Sequence, residues 1–417
     1  IVDEELDLRL RAVGATVIVG PKWCGKTTTA KQKAKSVLEM QDPDLQEGYL
    51  KLASTKPSML LEGDNPRLID EWQLAPVLWD AVRVSVDRRQ EKGLYLLTGS
   101  VVVDEDKIKH TGIGRISRLE METMSLWESG ESSGQVSLRG LFDDPKAVVD
   151  GAQGKLSVEE LIFAVCRGGW PDILDLEDEI ALEAAFDYLD GVVNSDISRV
   201  DNIRRDPERA RRIMRSYARN QGAQISFTKI AADISANELS FTDETIASYV
   251  KALKQIFVVD DIVAWNPNLR SKTSIRAADT RYFSDSAIAA AALGIGPRDL
   301  IADLNTFGLL FETMCVRDLR TYAESLNGNV YHYRDRSGLE CDAVIHLRNG
   351  HYGLIEIKLG GDRLINEGAA NLIRLESLID TEKMPAPSFK MILTGTDIYA
   401  YTRPDGVMVV PVACLKN

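Results

Sequence analysis

The stretch Gly20-Pro21-Lys22-Trp23-Cys24-Gly25-Lys26-Thr27 constrains this chain more than any other. It satisfies the phosphate-loop pattern G-x-x-x-x-G-K-[ST] at each fixed position. Gly20 and Gly25 let the backbone turn so that its N–H groups point at phosphate oxygens. Lys26 suits the β- and γ-phosphates, and the Thr27 hydroxyl suits Mg²⁺. Ala15 to Val19 predicts a short buried strand before the loop. Thr28 to Met40, rich in Ala and Lys and free of Gly and Pro, predicts a helix after it. Strand, loop and helix N-terminus together form a phosphate site, with Thr28 among the binding residues. A plain glycine turn before a helix would not require the Lys-Thr pair.

Two acids and a strand end extend this reading. Leu68-Ile69-Asp70-Glu71 is a short apolar run ending in two carboxylates, as in a Walker B strand. Asp70 would hold Mg²⁺ and Glu71 would polarise the attacking water. Arg67 leaves this strand short, and a solvated Asp-Glu turn is the alternative. Leu94 to Leu97 predicts another strand, followed by Thr98-Gly99-Ser100. Thr98 or Ser100 would touch the water or the γ-phosphate, or simply end the strand. Arg115 and Arg118, after Gly112 and Gly114, are candidates for an arginine supplied to a neighbouring subunit's γ-phosphate, or are surface residues. No guanine-reading N-K-x-D motif occurs.

At 417 residues the chain exceeds one core, so several domains are expected. No apolar run reaches bilayer length, and the acidic start Ile1 to Glu5 has no signal-peptide pattern. The start without Met is taken as a trimmed one. Five scattered cysteines without metal-ligand spacing argue for a reducing cytoplasm. Cys24 inside the loop is a candidate site of inactivating oxidation. The net charge of −13 counts against a simple nucleic-acid coat protein without excluding a local basic channel.

Residues 157 to 220 look helical, interrupted by the Gly168-Gly169-Trp170-Pro171 turn. Eight arginines lie between Arg199 and Arg219, either an ion-paired helix face or a contact to nucleotide or nucleic acid. Helices from Ser226 to Ile234 and from Thr242 to Gln255 suggest a helix-turn-helix. Phe257 to Val259 and Ile262 to Trp265, flanking Asp260-Asp261, predict a hairpin wing. Such a unit either enters the major groove or only packs domains together, and the two aspartates would repel phosphate.

A second constellation follows. Glu312 falls on a long helix predicted from Asn305 to Leu326. Strands are predicted from Val330 to Arg334, Leu339 to Ile345 and Tyr352 to Lys358. Glu356 and Lys358 share a strand face, and Asp342 lies on the preceding strand of an expected hairpin. Asp342 and Glu356 are candidate ligands of one divalent ion, with Lys358 beside it for phosphodiester chemistry. An amphipathic hairpin with a surface salt bridge is the alternative. The ordered set Glu312, Asp342, Glu356, Lys358 resembles the PD-(D/E)XK pattern of restriction-endonuclease-like folds.

Taken in order, the chain resembles a prokaryotic family of AAA-type ATPases with a helical lid, a winged helix and a C-terminal restriction-endonuclease-like domain of unknown function. Residues 20–27, Asp70-Glu71, Leu97 to Ser100, Gly168 to Pro171 and the C-terminal acid set carry the resemblance. It implies an α/β fold: an ATPase core over 1–150, a helical lid over 151–220, a winged helix over 221–272 and an α/β nuclease-like domain over 273–417. It also implies ATP and Mg²⁺ as ligands, a homo-oligomeric ring with a hexamer favoured, and DNA as partner. The residues expected to act are Lys26, Glu71, Thr98, Arg115 and Arg118, with residues 20–28 on the nucleotide. Thr27 and Asp70 are expected on its metal. The function expected is ATP-driven DNA processing. Alternatives are an ATP-gated metal-dependent nuclease, and a signalling or defence switch that docks a protein partner.

Overall fold

Five short segments build the first sheet of this computed structural model, which describes residues 1–101, 110–144, 146–201, 203–235, 241–267 and 278–417. They are β1 (Ala15–Val19), β2 (Ser36–Glu39), β3 (Arg67–Asp70), β4 (Tyr95–Gly99) and β5 (Ile116–Glu120). All pair in parallel, in the order β2-β3-β4-β1-β5. Successive residues of a strand face opposite sides. Ala15, Val17 and Val19 therefore enter one core with Ile69, Tyr95 and Leu97, while Ile18 enters the other with Leu68, Leu96 and Leu119. Burial on both faces explains why β1 and β4 are nearly unbroken apolar runs.

The helix expected from Thr28 to Met40 is shorter. It ends at Lys33, Ala34 turns extended, and Ser36–Glu39 becomes edge strand β2 against β3. Branched Val37 and the backbone partners offered by β3 outweigh helix propensity there. Arg67 does not interrupt β3 but begins it. Its Nε donates to the Leu60 carbonyl at 2.9 Å and a terminal nitrogen reaches Ser36 Oγ at 3.0 Å.

Contacts divide the chain into two units. One comprises Ile1–Thr123 with Gln255–Phe257, and the other comprises Met124–Lys254 with Val258–Asn417. The expected segments 151–220, 221–272 and 273–417 fall in the second unit apart from residues 255–257, and residues 124–150 also belong to it. The boundary placed at 272 lies outside the described residues. β6 (Val136–Ser137) pairs with β13 (Leu415–Lys416), and Ser132 Oγ donates to the Leu415 carbonyl at 2.7 Å.

The second unit's main sheet contains β7 (Gly328–Arg334), β8 (Glu340–Leu347), β9 (Tyr352–Lys358), β10 (Phe389–Thr394), β11 (Tyr401–Thr402) and β12 (Met408–Pro411). Their order is β11-β12-β10-β9-β8-β7. β8 and β9 form the expected antiparallel pair, with Ala343 opposite Ile355. The helix Leu304–Ser325 supplies thirteen buried residues.

Two segments depart from the expected winged helix. Helices Phe227–Ile234 and Asp243–Gln255 form, with Ser226 capping the first. The hairpin over 257–265 does not. Val259 bridges Phe283, Ile262 bridges Thr280 and Ala264 bridges His332. The reason lies in Asp260 and Asp261, which do not turn the chain towards solvent. Asp261 pairs with Arg281 at 2.7 Å and Lys254 at 2.8 Å, and Asp260 pairs with Arg320.

Several arginines of 199–219 are absorbed in the same way. Arg205 is buried and paired with Asp201 at 2.7 Å, Arg211 pairs with Asp190 and Arg212 with Glu208. Gly168 and Gly169 turn closely around Asp285, which accepts the Gly169 N–H at 3.0 Å. Arg317 joins Asp285 at 2.9 Å and Asp318 at 2.8 Å, all three fully buried. Replacing Arg317 with Leu strands two carboxylates. The expected loss is about 3–5 kcal/mol of stability, read by urea denaturation.

Candidate functional site

The loop after β1 leads into the helix Lys26–Lys33, whose N-cap is Gly25 at φ 98°. Gly20 stands at φ 150°, and a Cβ there would lie 2.0 Å from the Met121 carbonyl oxygen. Met121, just beyond β5, thus backs the loop at a position where only glycine fits. Lys26 Nζ donates to the carbonyls of Gly20 at 3.0 Å and Pro21 at 2.5 Å. Pro21 and Cys24 are buried, whereas Lys22 and Trp23 are exposed. Cys24 Sγ sits 3.5 Å from the Met121 carbonyl, and burial raises its pKa. A buried, protonated thiol is a poor nucleophile, so the structure speaks against ready oxidation at Cys24.

Because β3, β4 and β1 are neighbours and parallel, their C-terminal ends converge on the loop. Asp70 ends β3 and is 3% exposed. Its Oδ1 accepts the Thr27 hydroxyl at 2.8 Å and also the hydroxyl of Thr98 from β4. Glu71 follows at φ 55°, in the left-handed region. Its carboxylate accepts from Gln73 Nε2 and, at 3.5 Å, from Ser100 Oγ. Burial, then the Asp70 charge, raises the Glu71 pKa. Thr98 and Ser100 therefore divide the strand end between them, one touching Asp70 and the other Glu71.

A hydroxyl and a carboxylate oxygen in contact suit a hard cation. Beside them lie a glycine loop and a helix N-terminus suited to phosphate. Residues 20–28 would hold the nucleotide, and Thr27 with Asp70 would hold its Mg²⁺.

Arg115 and Arg118 are not brought to this loop. Arg115 precedes β5 at the opposite end of the strands, where its carbonyl accepts the Ala15 N–H at 3.0 Å. Its guanidinium pairs with Asp87 at 2.7 Å. Arg118 lies opposite Val17 in mid-strand, near Glu120 and over the Phe257 ring.

In the second unit, Lys358 Nζ meets Asp342 Oδ2 at 2.8 Å and Glu356 Oε2 at 2.5 Å. Asp342 Oδ2 also accepts the Ile357 N–H at 2.7 Å. Glu312 accepts the Tyr282 hydroxyl at 2.5 Å. Burial, reinforced by Asp342, pushes both Glu312 and Glu356 up to about 8. Burial alone would lower Lys358, but the Asp342 and Glu356 charges outweigh it and raise its pKa. A small cleft reaches Glu312 and Asp342, with Gln224, Tyr282 and His332 on its walls. Burial lowers His332 to about 4, so it is neutral at pH 7. Among the described residues, no group of three or more His, Cys, Asp or Glu is placed to hold a metal ion.

Sequence reasoning missed Gln73 and Met121. Gln73 lies two residues past the acid pair and carries a visible amide. Met121 contributes only a carbonyl, which leaves no trace in side-chain identity.

No helix among the described residues is long and apolar enough to cross a membrane. Residues 158–299 and 307–415 match two domains of unknown function, DUF8612 and DUF4143. Uncharacterized proteins of Mycobacterium bovis and Mycobacterium tuberculosis are each 24% identical over 356 residues, covering 84% of this chain and 71% of theirs. Among solved structures, a Walker-type ATPase of Pyrococcus abyssi aligns at 13% identity and a TM-score of 0.42, over 70% of this chain and 94% of that one. Residues 13–129 match the AAA domain family. That span contains the loop, Asp70, Glu71 and Thr98, so the segment that carries the phosphate-loop pattern is the one similar to AAA domains.

Proposed function

We propose that the first unit hydrolyses ATP, and that the chain works as a homo-oligomer whose partner is DNA. The observation that carries the ATPase reading is Asp70, which joins the Thr27 and Thr98 hydroxyls beside a second carboxylate. In this reading Lys26 leaves the loop carbonyls for the phosphates. Thr27 and Asp70 hold Mg²⁺, which would neutralise charge on the phosphate oxygens. Glu71 activates water, and its raised pKa makes it a stronger base than a solvated carboxylate. Thr98 and Ser100 keep the two acids in place.

A neighbour's arginine suits this reading, since neither Arg115 nor Arg118 reaches the loop of its own chain. The successive helices Phe227–Ile234 and Asp243–Gln255 are the candidate DNA contact. The ion pairs of Arg205, Arg211 and Arg212 make the segment 199–219 a weaker one. A second reading, an ATP-gated nuclease, rests on the convergence of Asp342, Glu356 and Lys358 beside the cleft that reaches Glu312.

Lys26→Ala is expected to lower ATP turnover about 100-fold or more, and Glu71→Gln about 100-fold, in a phosphate-release assay. Turnover equal to wild type in both variants removes the ATPase reading. Duplex and branched DNA should stimulate wild-type turnover, with binding that weakens as salt rises. A rate and a binding signal indifferent to DNA remove DNA as partner. If the second unit cuts DNA, Asp342→Ala and Lys358→Ala abolish Mg²⁺-dependent cleavage of a plasmid and leave the ATPase rate unchanged. Intact plasmid with the wild-type protein discards cleavage.

A further inference from the structure

We infer that Gln73 is a positioning residue for hydrolysis, its side-chain amide holding the Glu71 carboxylate in place for water activation. The inference rests on the ATPase reading of the first unit and assigns a further residue to it. Glu71 needs such help. Its backbone is left-handed, an uncommon state for a non-glycine residue that the surroundings must maintain. Its carboxylate also lies close to Asp70, a like charge that favours its swinging away. The cations facing it, Lys26 and Lys22, both belong to the phosphate loop.

The chain supplies a restraint two residues on. The left-handed turn at Glu71 starts the single 3₁₀ turn Trp72–Leu74. That turn folds Gln73 back, and Nε2 donates to Glu71 Oε2 while Ser100 Oγ approaches Oε1. The two carboxylate oxygens thus have separate donors. The other end of the amide supports the assignment. Among the described residues no donor reaches the buried Gln73 Oε1, so the amide's orientation is set by what Nε2 holds. Oε1 also lies against Gly99, where a Cβ would come within 2.7 Å of it. Gly99 therefore makes the room that Gln73 occupies.

The residue type also fits. A lysine or arginine at position 73 would neutralise Glu71 and weaken it as a base. A neutral amide restrains the carboxylate and leaves its charge available.

The test is steady-state ATP hydrolysis by the full chain. Gln73→Leu keeps much of the volume and removes the donor. It should lower kcat about tenfold, the scale of one hydrogen bond to a charged group, with KM within about twofold. In a Glu71→Gln background, Gln73→Leu should have no further effect, because it acts through Glu71. Gly99→Ala leaves Gln73 intact but pushes its flexible amide aside. It should lower kcat alone and add nothing to Gln73→Leu. A full-rate Gln73→Leu, or a loss that simply multiplies that of Glu71→Gln, overturns the inference while wild-type turnover sustains the ATPase reading. A wild-type rate no higher than that of Lys26→Ala overturns the ATPase reading and this inference with it.

Discussion

The first unit depends on one carboxylate. Asp70 stands at the end of β3 with almost no exposure, and two hydroxyls from different elements converge on a single oxygen. Thr27 belongs to the helix after the phosphate loop, and Thr98 to the end of β4. A buried carboxylate is costly without such partners. Here the cost is offset by hydrogen bonds that also register three elements against one another. The parallel sheet makes this possible, because strand order places β4 between β3 and β1, with all three strand ends on the same side. The same atom that would ligate a cation therefore helps assemble the site.

The second unit handles charge differently. Arg317, Asp285 and Asp318 form a fully buried cluster that ties the long helix to the Gly168-Gly169 turn. Asp260 and Asp261 are drawn into pairs with Arg320, Arg281 and Lys254. At the acid set, Lys358 lies between two carboxylates. In each case position within the sheet and helices decides whether a charge is structural or available. Composition alone, with its excess of acids, does not distinguish these cases.

The phosphate loop, β1, β4 and the hairpin of β8 and β9 were legible because their signals are local. Gly20 and Gly25 mark a backbone that other residues cannot follow, and Glu356 with Lys358 share a face by strand periodicity alone. The failures are tertiary. Nothing near Lys33 announces that Ser36–Glu39 will leave the helix, because its partner β3 is 31 residues away. Asp260 and Asp261 look like a turn until Arg281 and Arg320 are placed beside them. Arg67 looks like an interruption until Leu60 and Ser36 accept its hydrogen bonds. Gln73 and Met121 act through an amide aimed backwards and a bare carbonyl, neither of which any motif encodes.

The small pairing of β6 with β13 has a consequence for the order of folding. Val136 meets Leu415 across most of the chain's length, and Ser132 bonds the same residue's carbonyl. Closing so long a loop carries an entropy cost that local contacts do not. The five strands of the first sheet lie within the first 120 residues and can be assembled early during synthesis. Residues 132 to 137 must wait for a strand that lies 279 residues beyond Val136. Until then Val136 and the Ser132 hydroxyl lack these partners, so this segment is among the last of the second unit to reach its final packing.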